Sequence, residues 1–108
     1  MLAMKHGSLF AIFTLLILTV GLSQAYAAVI TLGGNPTDIA FDSHLNEVFV
    51  SDYDSGSGNT VSVISDASNK VVATIIVGSG PYGIAFDSNQ RKIFVANNVS
   101  STVSVLSG

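Results

Sequence analysis

The sequence predicts an all-β protein made of antiparallel four-stranded β-propeller blades, about two repeats that form an incomplete propeller, preceded by an N-terminal signal helix. Three observations predict this fold class. The chain repeats itself at about 45 residues, its short β-branched and aromatic runs show no helical period after the leader, and several runs are apolar on both faces. At 108 residues the chain has room for one ordinary domain at most.

Residues 1–27 are predicted to be a signal peptide. Lys5 precedes a charge-free apolar run, Leu9–Leu22, and the small-x-small sequence Ala25-Tyr26-Ala27 follows. Signal peptidase accepts only small side chains at the positions of Ala25 and Ala27, so we expect cleavage after Ala27, which makes Ala28 the new N-terminus. The mature protein, 28–108, is therefore expected to be secreted or at the cell surface.

The alternative for the leader is an uncleaved membrane anchor. The chain stays free of charge as far as Leu32, and a membrane-spanning helix needs about 20 apolar residues. Gly21, Ser23 and Gln24 interrupt the apolar run where such a helix would continue, which favours the signal peptide. Under either interpretation the remainder of the chain is exported.

The mature region divides into two copies of one unit, about 29–73 and 74–108. Ile39-Ala-Phe-Asp-Ser43 returns 45 positions later as Ile84-Ala-Phe-Asp-Ser88, and Thr60-Val-Ser-Val-Ile64 returns 42 positions later as Thr102-Val-Ser-Val-Leu106. The first copy therefore has three extra residues, which we place in Asp54-Ser-Gly-Ser-Gly58.

Each unit is predicted to contain four strands, a to d, separated by turn formers. In the first copy they cover about Asp38–Phe41, Glu47–Ser51, Thr60–Ser65 and Lys70–Val77. Asp42 and Asp87 are expected to close the a-b turns by accepting a hydrogen bond from the backbone two residues on. A leading d strand at Val29–Leu32 and a trailing a-b-c set that ends at Ser107 bring the total to eight strands, or two blades.

The strands Ile39-Ala40-Phe41 and Val48-Phe49-Val50 are apolar on both faces. In a sheet with one face in water, apolar and polar residues would alternate along each strand. A sheet packed between two similar sheets need not show this alternation, and a β-propeller is a radial arrangement of such sheets. A β-sandwich is the alternative, but it does not explain the 45-residue repeat. A closed propeller needs at least four blades. We therefore expect two blades to be a truncated part of a longer propeller, or alternatively an assembly of several chains.

Three segments resemble the YVTN β-propeller repeat of archaeal surface-layer-type and bacterial exported proteins: Gly78-x-Gly-Pro-x-Gly-Ile-Ala-Phe-Asp87, Ile93-Phe-Val-Ala-Asn97 and Ser101-Thr-Val-Ser-Val-Leu106. The tetrapeptide that names the family corresponds to Phe49-Val-Ser-Asp52 and Phe94-Val-Ala-Asn97, with Phe for Tyr and Ser or Ala for Thr. The resemblance covers Val29–Ser107. It implies the propeller fold more than a function, because such proteins are largely without assigned activity.

No catalytic, cofactor-binding or metal-binding residue is predicted, and no cofactor is expected. Asp52 and Asp54 lie two apart in a glycine-rich loop, as carboxylates do in calcium loops. The EF-hand pattern fails at Ser57, where glycine is required, and at Val63, where a bidentate glutamate belongs. The second copy has no carboxylate at either position, so we interpret the loop as a solvated insertion.

The remaining polar residues do not form a catalytic constellation. His44 is the one histidine of the mature region and the chain has no cysteine, so the ligands of a typical zinc site and the partners of a Ser-His-Asp triad are both missing. Asn98-Val-Ser100 is a glycosylation sequon, with Asn98 as the candidate acceptor. Seven acids against four bases, with Arg91-Lys92 the one basic pair of the mature region, argue against nucleic-acid binding.

The expected function is that of an exported, non-enzymatic repeat module for binding or surface structure. Expected partners are other propeller blades or copies of itself, and cell-surface proteins or glycans; the membrane would be contacted only through an uncleaved leader. The alternative is a fragment of an extracytoplasmic propeller enzyme, lactonase-like, streptogramin lyase-like or a quinoprotein subunit. Such chemistry needs inward-facing polar side chains, and the candidates for that position are Asn35, Asp38, Asp52 and Asn97.

The cleavage site yields the first testable prediction. Because Ala25 and Ala27 fill the small pockets of signal peptidase, the exported chain should begin at Ala28, and Ala27→Phe should leave precursor in the membrane. N-terminal sequencing of the surface-located protein measures this. A wild-type chain that still begins at Met1 or Leu2 would instead establish the membrane anchor.

Overall fold

The computed structural model describes residues 27–107, so residues 1–26 of the predicted signal peptide, Ala25 among them, lie outside the described residues. Seven strands occur in residues 27–107: β1 (Pro36–Asp42), β2 (Glu47–Asp52), β3 (Thr60–Ser65), β4 (Lys70–Ile76), β5 (Pro81–Asp87), β6 (Lys92–Asn97) and β7 (Thr102–Ser107). The three-residue insertion forms a 3-10 turn at Asp54–Gly56. No helix in this part of the chain has the length and apolar character that crossing a membrane requires.

The strands form two antiparallel sheets, ordered β1-β2-β3-β4 and β5-β6-β7. Strands adjacent in sequence are adjacent in each sheet, so both sheets are meanders. Their registers correspond: Phe49 pairs with Ala40 and Val63, and Phe94 pairs with Ala85 and Val105. The predicted all-β class is confirmed, while closure into a propeller remains a prediction.

Most predicted strands lie where the sequence placed them. β3 has the predicted bounds, β4 ends one residue early at Ile76, and β1 begins two residues early at Pro36. The ladder is irregular between Pro36 and Asp38. Proline has no N–H to give to a ladder, which explains its place at the end of the strand.

The predicted leading strand at Val29–Leu32 is not part of either sheet. Its side chains nevertheless alternate as in a strand, since Ile30 and Leu32 are half-buried whereas Val29 and Thr31 are exposed. A strand needs a neighbouring backbone to pair with, and residues 27–107 of the same chain provide none beside this segment.

The a-b turns confirm the role predicted for their aspartates. Asp42 Oδ1 accepts a hydrogen bond from His44 N at 2.8 Å, and Asp87 Oδ1 accepts one from Asn89 N at 2.9 Å. In the β3-β4 turn the accepting side chain is Ser65, whose Oγ lies 3.3 Å from Ser68 N. Short side chains of this kind compete for backbone donors and so favour turns.

The hydrophobic core lies between the two sheets. Its buried members are Phe49, Val61 and Val63 from the first sheet and Ile93 and Val95 from the second. Half-buried residues pack around them: Ala40, Ile75, Val77, Ile84, Phe86 and Leu106. Each fully buried side chain of this size contributes about 1.5–3 kcal/mol to folding, so sheet-on-sheet packing is the main source of stability.

The β5-β6 turn yields a prediction about backbone strain. Arg91 has φ 57°, and the corresponding residue of the β1-β2 turn, Asn46, has φ 55°. Asparagine tolerates this left-handed conformation better than arginine does. We expect Arg91→Asn to raise the free energy of unfolding by about 0.5 kcal/mol, and Asn46→Arg to lower it by a similar amount, in urea unfolding of the full chain.

Arg91→Gln is the matched control, because it removes the same charge without gaining tolerance of positive φ. Stabilisation by Gln equal to that by Asn would show that charge, and not backbone strain, is responsible.

Candidate functional site

A polar cluster at the end of each sheet accounts for the hydroxyl residues that recur in both copies of the repeat. In the first sheet, Asp52 Oδ2 accepts hydrogen bonds from Thr60 Oγ1 at 2.9 Å and Ser62 Oγ at 2.8 Å. In the second sheet, Asn97 Nδ2 donates to Thr102 Oγ1 at 3.1 Å and Ser104 Oγ at 2.9 Å. These residues correspond position by position between the copies.

The hydroxyls donate to Asp52 but accept from Asn97, which is possible because a hydroxyl can do both. Asp52 and Asn97 are both buried, and each keeps an Oδ1 with no hydrogen-bond partner in the described part of the chain. Since the amide and the carboxylate share this property, it belongs to the repeated position. The clusters therefore hold adjacent strands together at one end of each sheet.

The loop that follows Asp52 is the predicted solvated insertion. Asp54 and Ser55 are exposed, and the Ser57 hydroxyl donates to the Asp54 carbonyl oxygen at 2.8 Å. Gly58 runs so close to the Asp52 carbonyl that a Cβ would overlap it, which explains the glycine. Residues 27–107 contain no group of three or more His, Cys, Asp or Glu side chains close enough to hold a metal ion.

Asp38 joins the two sheets. Its Oδ1 accepts a hydrogen bond from Ile39 N at 2.9 Å, and its Oδ2 accepts one from Ile84 N, in β5, at 3.0 Å. The Tyr82 carbonyl accepts two further bonds from the first sheet, from Ser51 Oγ at 2.7 Å and Thr37 Oγ1 at 3.2 Å. Both carboxylate oxygens of Asp38 are therefore engaged by backbone donors.

Sequence reasoning missed the joining role of Ser51 and Thr37. A signal was present, because the residues that join the sheets are those that differ between the copies. Gly83 stands at the position of Asp38, Ala96 at that of Ser51 and Tyr82 at that of Thr37. The second sheet consequently lacks the side chains with which the first sheet holds its neighbour.

The other candidate residues do not come together. His44 is exposed in the β1-β2 turn, with Nδ1 3.9 Å from Asp42 Oδ1 and its ring edge-on to Phe86. Asn98, the candidate glycosylation acceptor, is exposed in the β6-β7 turn. Ala27 and Ala28, beside the expected cleavage site, are exposed at the beginning of the described residues.

Two apolar sheet faces are left uncovered or only partly covered. The upstream face belongs to the first sheet and consists of Ile39, Phe41, Val48, Val50 and Ile64; Ile39 is 63% exposed, while Val50 and Ile64 are buried. The downstream face belongs to the second sheet and consists of Ala85, Phe94, Ala96, Val103 and Val105; Val103 is 61% exposed. A soluble monomer rarely exposes such contiguous apolar surface without a function for it.

No protein-family model matches this chain, and no curated protein matches it closely enough to count as a relative.

The Asp52 cluster yields a prediction about stability. Asp52→Ala removes the acceptor of two hydroxyls and leaves the buried Ser62 hydroxyl without its partner, so we expect the free energy of unfolding to fall by about 1–3 kcal/mol. Asp52→Asn reproduces the arrangement of Asn97 and should cost less than about 1 kcal/mol. Urea unfolding of the full chain measures both.

The reciprocal change, Asn97→Asp, is the matched control and should also be mild. If Asp52→Asn destabilised the chain as much as Asp52→Ala, the carboxylate charge itself would be required and the structural interpretation of the cluster would be wrong.

Proposed function

We propose that this chain is an exported, non-enzymatic β-propeller repeat module that acts in binding or surface structure by packing its two apolar faces against other blades. The observation that carries the proposal is a correspondence between surfaces. The two exposed faces have the same residue positions as the two faces that pack against each other inside the molecule.

The downstream face corresponds to the inner side of the first sheet. Phe94, Val103 and Val105 are exposed, whereas their counterparts Phe49, Val61 and Val63 are buried in the core. The alternation of side chains along each strand places these residues on the same side of the two sheets. What covers the inner side of the first sheet is the second sheet, so a blade of the same kind would fit the downstream face.

The upstream face corresponds to the inner side of the second sheet. Ile39 and Phe41 are exposed, whereas their counterparts Ile84 and Phe86 are half-buried against the first sheet. The two open faces are thus complementary to each other in the same way as the two packed ones. Blades of a longer chain and blades of another copy satisfy this requirement equally well.

The hydrogen bonds support a role without catalysis. Asp38, the carboxylate that an axial active site would use, has both oxygens hydrogen-bonded to backbone N–H groups. The leader supports export, and the YVTN resemblance supports a surface location.

The test of binding is a charge placed on one face. Phe94→Asp introduces a carboxylate into the centre of the downstream face, and desolvating it would cost several kcal/mol. We expect the purified full chain to associate in size-exclusion chromatography with light scattering, and Phe94→Asp to abolish the association. Val72→Asp is the matched control, because Val72 is an exposed valine of β4 outside both faces.

Association that persists in Phe94→Asp, or a wild-type chain that stays monomeric at every concentration, would overturn the binding proposal. Catalysis is tested separately with a panel of lactones. We expect no turnover; turnover that Asp38→Ala abolishes would establish the enzyme instead.

A further inference from the structure

The segment Ala28–Leu32 lies against the upstream face without belonging to a sheet. Ala28, Ile30 and Leu32 line a cleft of about 380 Å³ together with residues of the first sheet, among them Ile39, Val50 and Ile64. The exposed side of the segment carries Val29, which is 85% exposed. The segment thus has the inward and outward alternation of a strand but no backbone partner in the described part of the chain.

This segment occupies the position that the end of β4 occupies one unit later. Ile75 and Val77 pack on the core between the two sheets, and Ile30 and Leu32, 45 residues earlier, lie beside the upstream face of the first sheet. The glycine-containing connection to β1, residues 33–35, corresponds to residues 78–80, which connect β4 to β5. Ala28–Leu32 therefore has the position of the fourth strand of a sheet, and residues 27–107 provide no other strand of that sheet beside it.

The second sheet has the opposite deficiency. In the described part of the chain it contains three strands, and β7 is paired there on one side, with β6. The sequence of β7 repeats that of β3, Thr60-Val-Ser-Val-Ile64, and β3 pairs on that side with β4. Within residues 27–107, the beginning thus offers a fourth strand without a sheet, and the last sheet has three strands and no fourth.

We propose that Ala28–Leu32 of one copy adds to the free edge of β7 in a second copy, completing a four-stranded antiparallel sheet while the downstream face of that copy covers the upstream face of the first. The inference rests on the proposed function and deepens it by naming the partner and the mode of pairing. Strand addition supplies backbone hydrogen bonds, and the apolar faces supply the burial.

The register of the pairing follows from the intact sheet. Val61 pairs with Ile75 and Ser62 with Thr74 in the β3-β4 ladder. Transferred to the second unit, Val103 pairs with Ile30 and Ser104 with Val29 of the other copy. A shift by one residue would turn Ile30 away from the upstream face, so the apolar pattern permits one register.

The contact between copies differs from the contact within the chain in its polar groups. Within the chain, Asp38 and Ser51 bond to the backbone of β5. Gly83 and Ala96 stand at those positions in the second sheet, and neither has a polar side-chain group that could bond to the next copy. The contact between copies therefore depends on strand pairing and apolar burial, and we expect it to be weaker and more readily reversible.

The chain contains no cysteine, so paired cysteines test the register directly. Two full-length variants, Ile30→Cys and Val103→Cys, are purified separately, mixed and oxidised. Facing residues of antiparallel strands lie 4.5–5.5 Å apart at Cα, within the range that a disulfide spans. We expect a mixed disulfide between the two variants, identified by mass spectrometry of the linked peptides, and a second one for Val29→Cys with Ser104→Cys.

The control pair is Val29→Cys with Val103→Cys. Successive strand residues point to opposite faces, so this pair should give no mixed disulfide. Because each cysteine is on a different chain, pairing within one molecule cannot produce the product. Mixed disulfides in both facing pairs and none in the control support the proposal; equal linking in the control, or none in either facing pair, overturns it.

Light scattering on the cysteine-free chain distinguishes strand addition to β7 from the more general proposal that the apolar faces associate. If the wild-type chain associates, Phe94→Asp abolishes the association, and neither facing pair forms a disulfide, the proposed binding function is supported and strand addition is wrong. A chain that remains monomeric overturns both.

Discussion

A sheet that is apolar on both faces has to be covered on both faces, and the rest of this structure depends on that constraint. The first sheet satisfies it on one side by packing on the second, which buries Phe49, Val61 and Val63. On the other side, the segment Ala28–Leu32 is what covers it among residues 27–107. The second sheet is covered on one side and open on the other. Both open surfaces result from the same property, namely that the strands carry apolar side chains on both faces of the sheet.

Polar residues in this molecule serve the contacts between strands and between sheets. Asp52 and Asn97 each bond to two hydroxyls at the ends of their sheets. The hydroxyls donate to the Asp52 carboxylate and accept from the Asn97 amide. Asp38 of β1 and Ser51 of β2 satisfy backbone groups of β5. A buried polar group costs free energy unless it is paired, and these pairings explain why acids occur within otherwise apolar strands.

Local sequence was sufficient for the strands and the turns. The bounds of β3 and the roles of Asp42 and Asp87 depend on neighbours a few residues away, so pattern and turn chemistry predict them. The contacts of Asp38 and Ser51 with β5 depend on how the two sheets pack against each other, and a local sequence pattern does not determine that packing. The start of β1 was misjudged because Pro36 joins the strand across an irregular ladder.

The partner of Val29–Leu32 was the other element that sequence alone could not supply. The match of this segment to the end of β4 predicts a strand, and the structure has none there: the side chains alternate in burial, but a ladder also requires a second backbone. The same limit applies to the candidate site: the residue types led to the expectation of no catalytic or zinc site, while the correspondence between exposed and buried faces emerged only from the pairing registers.

The meander order of the strands also has a consequence for how the chain folds. Each ladder joins strands adjacent in sequence, so every hairpin can close over a short loop, on the microsecond scale typical of β-hairpins. Packing of the two sheets requires residues about one repeat apart to meet, as when Asp38 reaches Ile84, and contacts of long sequence separation form more slowly. We therefore expect the hairpins to form early and the docking of the sheets to limit the rate. During that interval apolar surface is exposed on both sheets, and aggregation competes with folding.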